Sequence, residues 1–267
     1  KEYTGDNMNP LKNIKGLDTQ QILDWIVDEK GKTPVFLSVS GSHMWGLNRE
    51  DSDIDIRGIY CDPTSNILSL HPGSDTVEAI GLFGGLVDVQ LYEIGKALRM
   101  LQKNNGNIIE MLMSPLTFYA DETDWFTTAT HFLTKSLRHY YEGYYHSQRN
   151  RAMRNRGGKA LIYSLRELMA GIWLMRTGNI IYSFHNLRYL FEMSYINLPI
   201  IDKYLSRDTW RTPLTDQEIG EFEVVWKALE EIIKAETIES HLPDSYDSYD
   251  ELNNLLLYYR TKQEVTI

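Results

Sequence analysis

The chain has 267 residues, 42% of them hydrophobic and 24% charged, with a formal net charge of -10 at pH 7 and a single cysteine, Cys61. That is a globular balance able to bury a real core as one large domain or two ordinary ones; it excludes a disordered tract, an internal disulfide framework and a cysteine-based zinc site, and the acidic sum argues against blanket electrostatic binding to nucleic acid. No apolar run nears the roughly 18 residues that cross a bilayer, and no charged-then-apolar signal segment opens the chain, so the expectation is a reduced, cytoplasmic protein with no membrane partner.

Along the chain, "DTQQILDWIVDE" (18–29) sets Ile22, Leu23, Ile26 and Val27 on one helical stripe behind Asp18 as N-cap. "PVFLSVSG" is a short strand ending at glycine, and "SDIDIRGIY" alternates acid and isoleucine with period two, the mark of a second strand. After a connection containing Pro, Ser and Gly, "GLVDVQLYEI" gives a third strand carrying Asp88. "GKALRMLQKNN" predicts a helix that stops at Asn105-Gly106, and "NIIEMLMSP" another broken by Pro115. From about Asp124 three long stretches, "WFTTATHFLTKSLRHYYEGYYHSQRNRAM", "GKALIYSLRELMAGIWLMRTG" and "DQEIGEFEVVWKALEEIIKAE", run on helical periodicity. Thr215 and Glu218 form a capping box ahead of the last.

The second strand poses a chemical problem. Residues two apart on a strand share a face about 7 Å apart, so Asp53 and Asp55 project together while Ile54 and Ile56 face a core. Such a pair reads as a solvated strand face when taken alone. Half-buried, it needs a cation between its charges, and hard Mg²⁺, held by one or two carboxylates and phosphate oxygens, is the natural choice. Asp88 on a neighbouring strand would complete a two-metal clamp for in-line phosphoryl transfer. Gly41-Ser42, at the end of the preceding strand, offers close backbone N–H groups and a hydroxyl to a phosphate.

Together, "GSHMWGLNREDSDIDIRG" resembles the active-site signature of the DNA polymerase β-type nucleotidyltransferases, in which a Gly-Ser pair precedes an Asp-x-Asp strand at this spacing. The fuller form, with Gly-Leu, Ser-Asp-x-Asp and then Arg-Gly, is similar to a subgroup of bacterial and phage proteins, the YcgL/RlaP-like nucleotidyltransferases linked to RNA repair. The likeness continues through "VDVQLYEIGKALRML", "NNGNIIEML" and "GKALIYSLRELMAGIWLMRTG", covering most of residues 35–180. The resemblance implies an α/β (α+β) fold: a polymerase β-like domain with a mixed sheet at 1–120, then a helical domain at 121–267 that closes over nucleotide and acceptor. It implies Asp53, Asp55 and Asp88 as catalytic metal ligands for Mg²⁺ or Mn²⁺, Gly41 and Ser42 as nucleotide contacts, an NTP as substrate, and an RNA end, tRNA among them, as acceptor. The chain has Gly106 where the subgroup carries proline and Tyr163 where it often carries histidine.

Other residues carry two readings each. Arg57 pairs with Asp55 or touches phosphate. Lys159 and Arg166, seven apart on one helix face, would neutralise a triphosphate. Trp45 packs or stacks on a base, His43 shows no partner, and Glu110 is an ordinary helix acid or a brace for the loop. Between Lys135 and Arg176 nine Lys/Arg face two acids, whereas twelve acids face two lysines between Asp216 and Glu251. Arg149, Arg151, Arg154 and Arg156, preceded by four tyrosines, suit RNA phosphates and unpaired bases, and equally suit a solvated helix with core tyrosines. His139, Glu142 and His146 lack a further ligand and are not read as a zinc site. Beside transfer to RNA stand transfer to a protein or small molecule, and a non-catalytic RNA- or partner-binding module on the same fold.

Overall fold

The computed structural model describes residues 10–194, 201, 203–204, 210 and 212–262. Its contacts divide the chain into two units. One runs to Phe132 and takes in the C-terminal stretch from Asp247; the other runs from Leu133 to Tyr246.

In the first unit the Asp18 carboxylate accepts from the Gln21 N–H at 3.0 Å and starts α1 (Thr19–Asp24), which continues into a π-helical turn at Trp25–Glu29. Then follow β1 (Thr33–Val39), α2 (Gly41–Met44), β2 (Ile54–Cys61), α3 (Thr64–Ile67), β3 (Thr76–Gly81), β4 (Val87–Glu93), α4 (Ile94–Gln102), α5 (Gly106–Leu112), β5 (Thr117–Ala120) and α6 (Trp125–Thr130). The sheet has the order β3-β4-β2-β1-β5, with β2 and β4 parallel and the other neighbours antiparallel, the mixed sheet expected. Period-two alternation builds its inner face: Ile54, Ile56, Val87, Val89 and Leu91 are buried, and α4 covers them with Ala97, Leu98 and Leu101. Each such aliphatic side chain contributes about 1.5–3 kcal/mol by leaving water. The edge strands β3 and β5 escaped sequence reading because their residues are mostly exposed or half-buried and lack a clean alternation.

The second unit is helical: α7 (Leu137–Asn155), α8 (Gly158–Thr177), α9 (Phe184–Ser194) and α10 (Asp216–Glu239). The capping box is present, Thr215 Oγ1 accepting from the Glu218 N–H while the Glu218 carboxylate accepts from the Thr215 N–H. Helices α7, α8 and α10 pack so closely that a Cβ on Gly171 would fall 2.8 Å from Ile233 and 2.9 Å from Tyr141. Inside this packing the Trp226 indole donates to Ser164 Oγ at 2.8 Å. The stretch from Trp125, helical throughout by periodicity, breaks between α6 and α7. Thr128 and Thr130 turn their hydroxyls onto the carbonyls of Asp124 and Thr127, at 3.0 and 2.6 Å, which competes with helix continuation.

The last helix, α11 (Tyr249–Lys262), was grouped by sequence with the helical half, and it belongs to the sheet unit. Tyr259 stacks on Trp125 with ring centroids 6.0 Å apart and donates to Asp121 at 2.6 Å. Arg260 reaches the Glu93 carboxylate at 2.7 Å, and Glu93 also accepts from the Gly95 N–H at 2.8 Å. Glu93 is only 3% exposed and Arg260 half-buried, so removing the guanidinium strands a buried carboxylate. Arg260→Ala is expected to lower the unfolding free energy by about 3–5 kcal/mol in urea denaturation, with Glu93→Gln restoring part of the loss in the double variant. Equal stability of Arg260→Ala and the parent chain would show that α11 is not clasped through this pair.

Candidate active site

The parallel register of β2 and β4 sets Ile54 beside Val87, Asp55 beside Asp88, Ile56 beside Val89 and Arg57 beside Gln90. Neighbouring strands lie about 4.8 Å apart. Because the isoleucines and valines turn inward, Asp55 and Asp88 stand together on the opposite, open face, both half-buried. Asp53 is exposed at the entry to β2, two residues ahead of Asp55.

Gly41 meets this pair from the side. The Ser40 N–H donates to the Asp55 carbonyl at 2.8 Å, and Gly41 then turns with φ +62°. A Cβ placed on Gly41 would lie 2.1 Å from Asp55 Oδ2, so both the backbone angle and the close approach require glycine. Ser42 follows at the start of α2, nearly buried, with its carbonyl accepting from the Leu47 N–H at 2.9 Å. Glu110 is buried in α5, the helix whose Met111 carbonyl accepts from Ser38 Oγ of β1 at 3.4 Å.

The carboxylates are already engaged. Asp88 Oδ1 accepts from the Gly81 N–H at 2.8 Å, and Arg57 Nη2 lies 3.4 Å from Asp55 Oδ1. Among the described residues no three Asp, Glu, His or Cys side chains are drawn together as a metal cage. The donor chemistry nonetheless fits a hard divalent ion. The oxygens of Asp55 and Asp88 share one face, with Asp53 two residues away, and Mg²⁺ takes only one or two carboxylates and fills its shell with water and phosphate oxygens.

His43, on the same turn as Gly41 and Ser42, does have a partner, the backbone of Ser52. Its Nε2 is buried without a hydrogen bond. Burial lowers its pKa, and the Ser52 backbone and the Asp55 charge push the other way. Sequence reasoning also missed the row beyond the acids. Gln90 Nε2 donates to Glu78 on β3 at 2.6 Å and Tyr92 donates to Gln90 Oε1 at 2.7 Å, contacts that depend on a strand register the sequence does not display.

The remaining candidates lie in the second unit. Lys159 is exposed on α8, its Nζ 5.5 Å from the centre of the Tyr163 ring. Arg166 is wholly enclosed and pairs with Glu167 at 2.9 Å. Arg149 sits 5.3 Å over the Trp226 ring and 3.5 Å from Glu223, and Arg156 binds Asp216 at 2.6 Å and the Leu214 carbonyl at 2.9 Å. Arg151 and Arg154 are exposed and make no ion pair with a described residue. Thus α10 acids neutralise part of the α7 band, a pairing that a count of charges along the chain hides.

A protein-family model, RlaP, described as the RNA repair pathway DNA polymerase beta family, matches residues 17–258. An uncharacterized protein of Methanocaldococcus jannaschii is 29% identical over 189 residues, 65% of this chain and 77% of that relative. The uncharacterized protein YcgL of Bacillus subtilis is 30% identical over 176 residues, 60% of this chain; the chain thus spans 65% of that relative's length.

The His43 environment predicts a pH effect. A histidine whose folded pKa is depressed takes up its proton more readily when unfolded, so its contribution to stability is complete above the ordinary value of 6.5 and is lost as pH falls from there through the folded pKa. NMR titration should place the His43 midpoint below 6.5, and His43→Phe should reduce the loss of stability on acidification. A midpoint at or above 6.5 would contradict the burial argument.

Proposed function

Because the chain belongs to the RNA repair pathway DNA polymerase beta family, we propose that it is a metal-dependent nucleotidyltransferase that moves a nucleoside monophosphate from an NTP to an acceptor hydroxyl and releases pyrophosphate. The observation that carries the reading is the register of Asp55 with Asp88 on adjacent parallel strands, against which the Gly41 backbone closes. Two carboxylates side by side repel, and a divalent cation with a phosphate chain relieves the repulsion.

In this reading Asp53, Asp55 and Asp88 hold Mg²⁺, or Mn²⁺ in its place, and Asp88 orients the attacking hydroxyl. When bound, the metal would supply Lewis-acid stabilisation of phosphoryl charge and acidify the acceptor hydroxyl. Gly41 and Ser42 bring backbone N–H groups and a hydroxyl to the phosphates, and Arg57 exchanges Asp55 for a phosphate oxygen. The acceptor hydroxyl attacks the α-phosphorus in line and the pyrophosphate departs opposite. The enclosure of Arg166 favours a structural role for it.

The acceptor is an RNA end, which the RNA-repair wording of the family description supports; tRNA is among the candidates, and Arg151 and Arg154 are the exposed cations for its phosphates. Transfer to a protein or small molecule is the second reading, favoured by the engagement of Arg149 and Arg156 with acids of their own unit. Incubation with labelled NTPs, Mg²⁺ and total RNA is expected to move label into RNA. Asp53→Asn, Asp55→Asn and Asp88→Asn should each reduce transfer by about a hundredfold or more without lowering Tm. Transfer by Asp55→Asn at the parental rate would remove the basis of the proposal. Arg151→Ala with Arg154→Ala should flatten the slope of log affinity for RNA against log salt by roughly 1–2; label moving to protein, with an unchanged slope, would decide for the second reading.

A further inference from the structure

On the open face of the sheet, positions alternate in rows. Asp55 and Asp88 form one row; Arg57, Gln90 and Glu78 form the next, since β2 pairs Arg57 with Gln90 and β3 pairs Glu78 with Gln90. Gln90 is two residues beyond Asp88 and shares its face, about 7 Å further along the strand. That distance is of the order a ribose spans between a reacting phosphate and its base.

The orientation of the Gln90 carboxamide is fixed by chemistry. A carboxylate only accepts hydrogen bonds, so the amide nitrogen must face Glu78, 2.6 Å away, and Oε1 then receives the Tyr92 hydroxyl at 2.7 Å. Burial raises the Tyr92 pKa, which keeps that hydroxyl protonated as the donor. The amide retains one N–H and one acceptor lone pair, a donor beside an acceptor at fixed spacing. Glu78 is exposed and Gln90 only half-buried, so water could satisfy both side chains without the entropy loss of ordering them. Beside this row stands Ile80, 88% exposed and on the same face of β3 as Glu78, an apolar surface next to Asp88.

We propose that Gln90, oriented by Glu78 and Tyr92, reads the hydrogen-bonding edge of an adenine base laid over Ile80 on the open sheet face. Adenine presents a ring-nitrogen acceptor beside an exocyclic amino donor, the edge that a glutamine carboxamide matches in two hydrogen bonds. The inference deepens the nucleotidyl-transfer reading and rests on it for the presence of a nucleotide. The adenine belongs either to the incoming nucleotide or to the terminal base of an RNA acceptor, and two arms of one experiment separate these sources.

The full chain is assayed for transfer with the four NTPs in competition, and with oligoribonucleotides that end in each of the four bases. The parent chain should prefer adenine in one arm by roughly ten- to hundredfold. Gln90→Leu should bring that ratio close to one, and so should Glu78→Gln, which leaves Gln90 in place but frees its amide to flip. A merely structural role would slow all substrates alike and leave the ratio unmoved. No base preference in either arm, a preference for another base, or an unchanged ratio in both variants overturns the proposal while nucleotidyl transfer stands. Should no substrate be transferred, equilibrium binding of AMP against GMP decides separately: a roughly tenfold preference for AMP that Gln90→Leu abolishes supports the adenine site, and equal binding overturns it.

Discussion

Two like charges held side by side are the constraint on which the rest of the sheet depends. The parallel pairing of β2 with β4 gives Asp55 no choice but to stand beside Asp88, and the inward isoleucines and valines fix which face they share. A one-residue slip of β2 against β4 would turn Asp55 into the aliphatic core and away from Asp88. The Gly81 N–H on one carboxylate and the Arg57 guanidinium on the other moderate the repulsion. The aliphatic face of the same two strands offsets what repulsion is left between the two acids.

What could be read in the sequence and what could not divides along a physical line. Features that depend on neighbours in the chain were legible: the Asp18 and Thr215 caps, the acid–isoleucine alternation of β2, the glycine ahead of Asp55, and the family signature these compose. Features that depend on which strands meet were not. The Gln90 row exists only through the β2–β4–β3 register, and β3 itself was read as connection because an exposed edge strand carries little alternation. Arg166 illustrates the same limit from the other side. Its spacing from Lys159 puts the two on one helix face as a pair of cations for a triphosphate, yet α8 is buried nearly all round, and the guanidinium finds its counter-ion in the adjacent Glu167.

Charge along the chain is likewise a poor guide to charge in space. The arginine-rich α7 and the acid-rich α10 look like two opposed surfaces when counted in sequence, but they pair across the helical unit, at Arg149 with Glu223 and at Arg156 with Asp216. Tyr145 adds a third link, its hydroxyl 2.5 Å from Glu230. The tyrosines that seemed to interleave with the cations as base-stacking platforms are partly core: Tyr141 and Tyr145 are buried. What is left for a polyanion on this helix is the exposed pair Arg151 and Arg154, a narrower footprint than the composition promised.

The return of α11 to the sheet bears on the order in which the protein can be made. On the ribosome the strands, with Glu93 at the end of β4, emerge long before Arg260, and the whole helical unit is synthesised in between. Until Arg260 clears the exit tunnel, the Glu93 carboxylate has to stay hydrated, so the nascent sheet cannot seal itself around it. Enclosure of that carboxylate thus comes late in synthesis, after the strands, the Gly41 turn and the whole helical unit have been made.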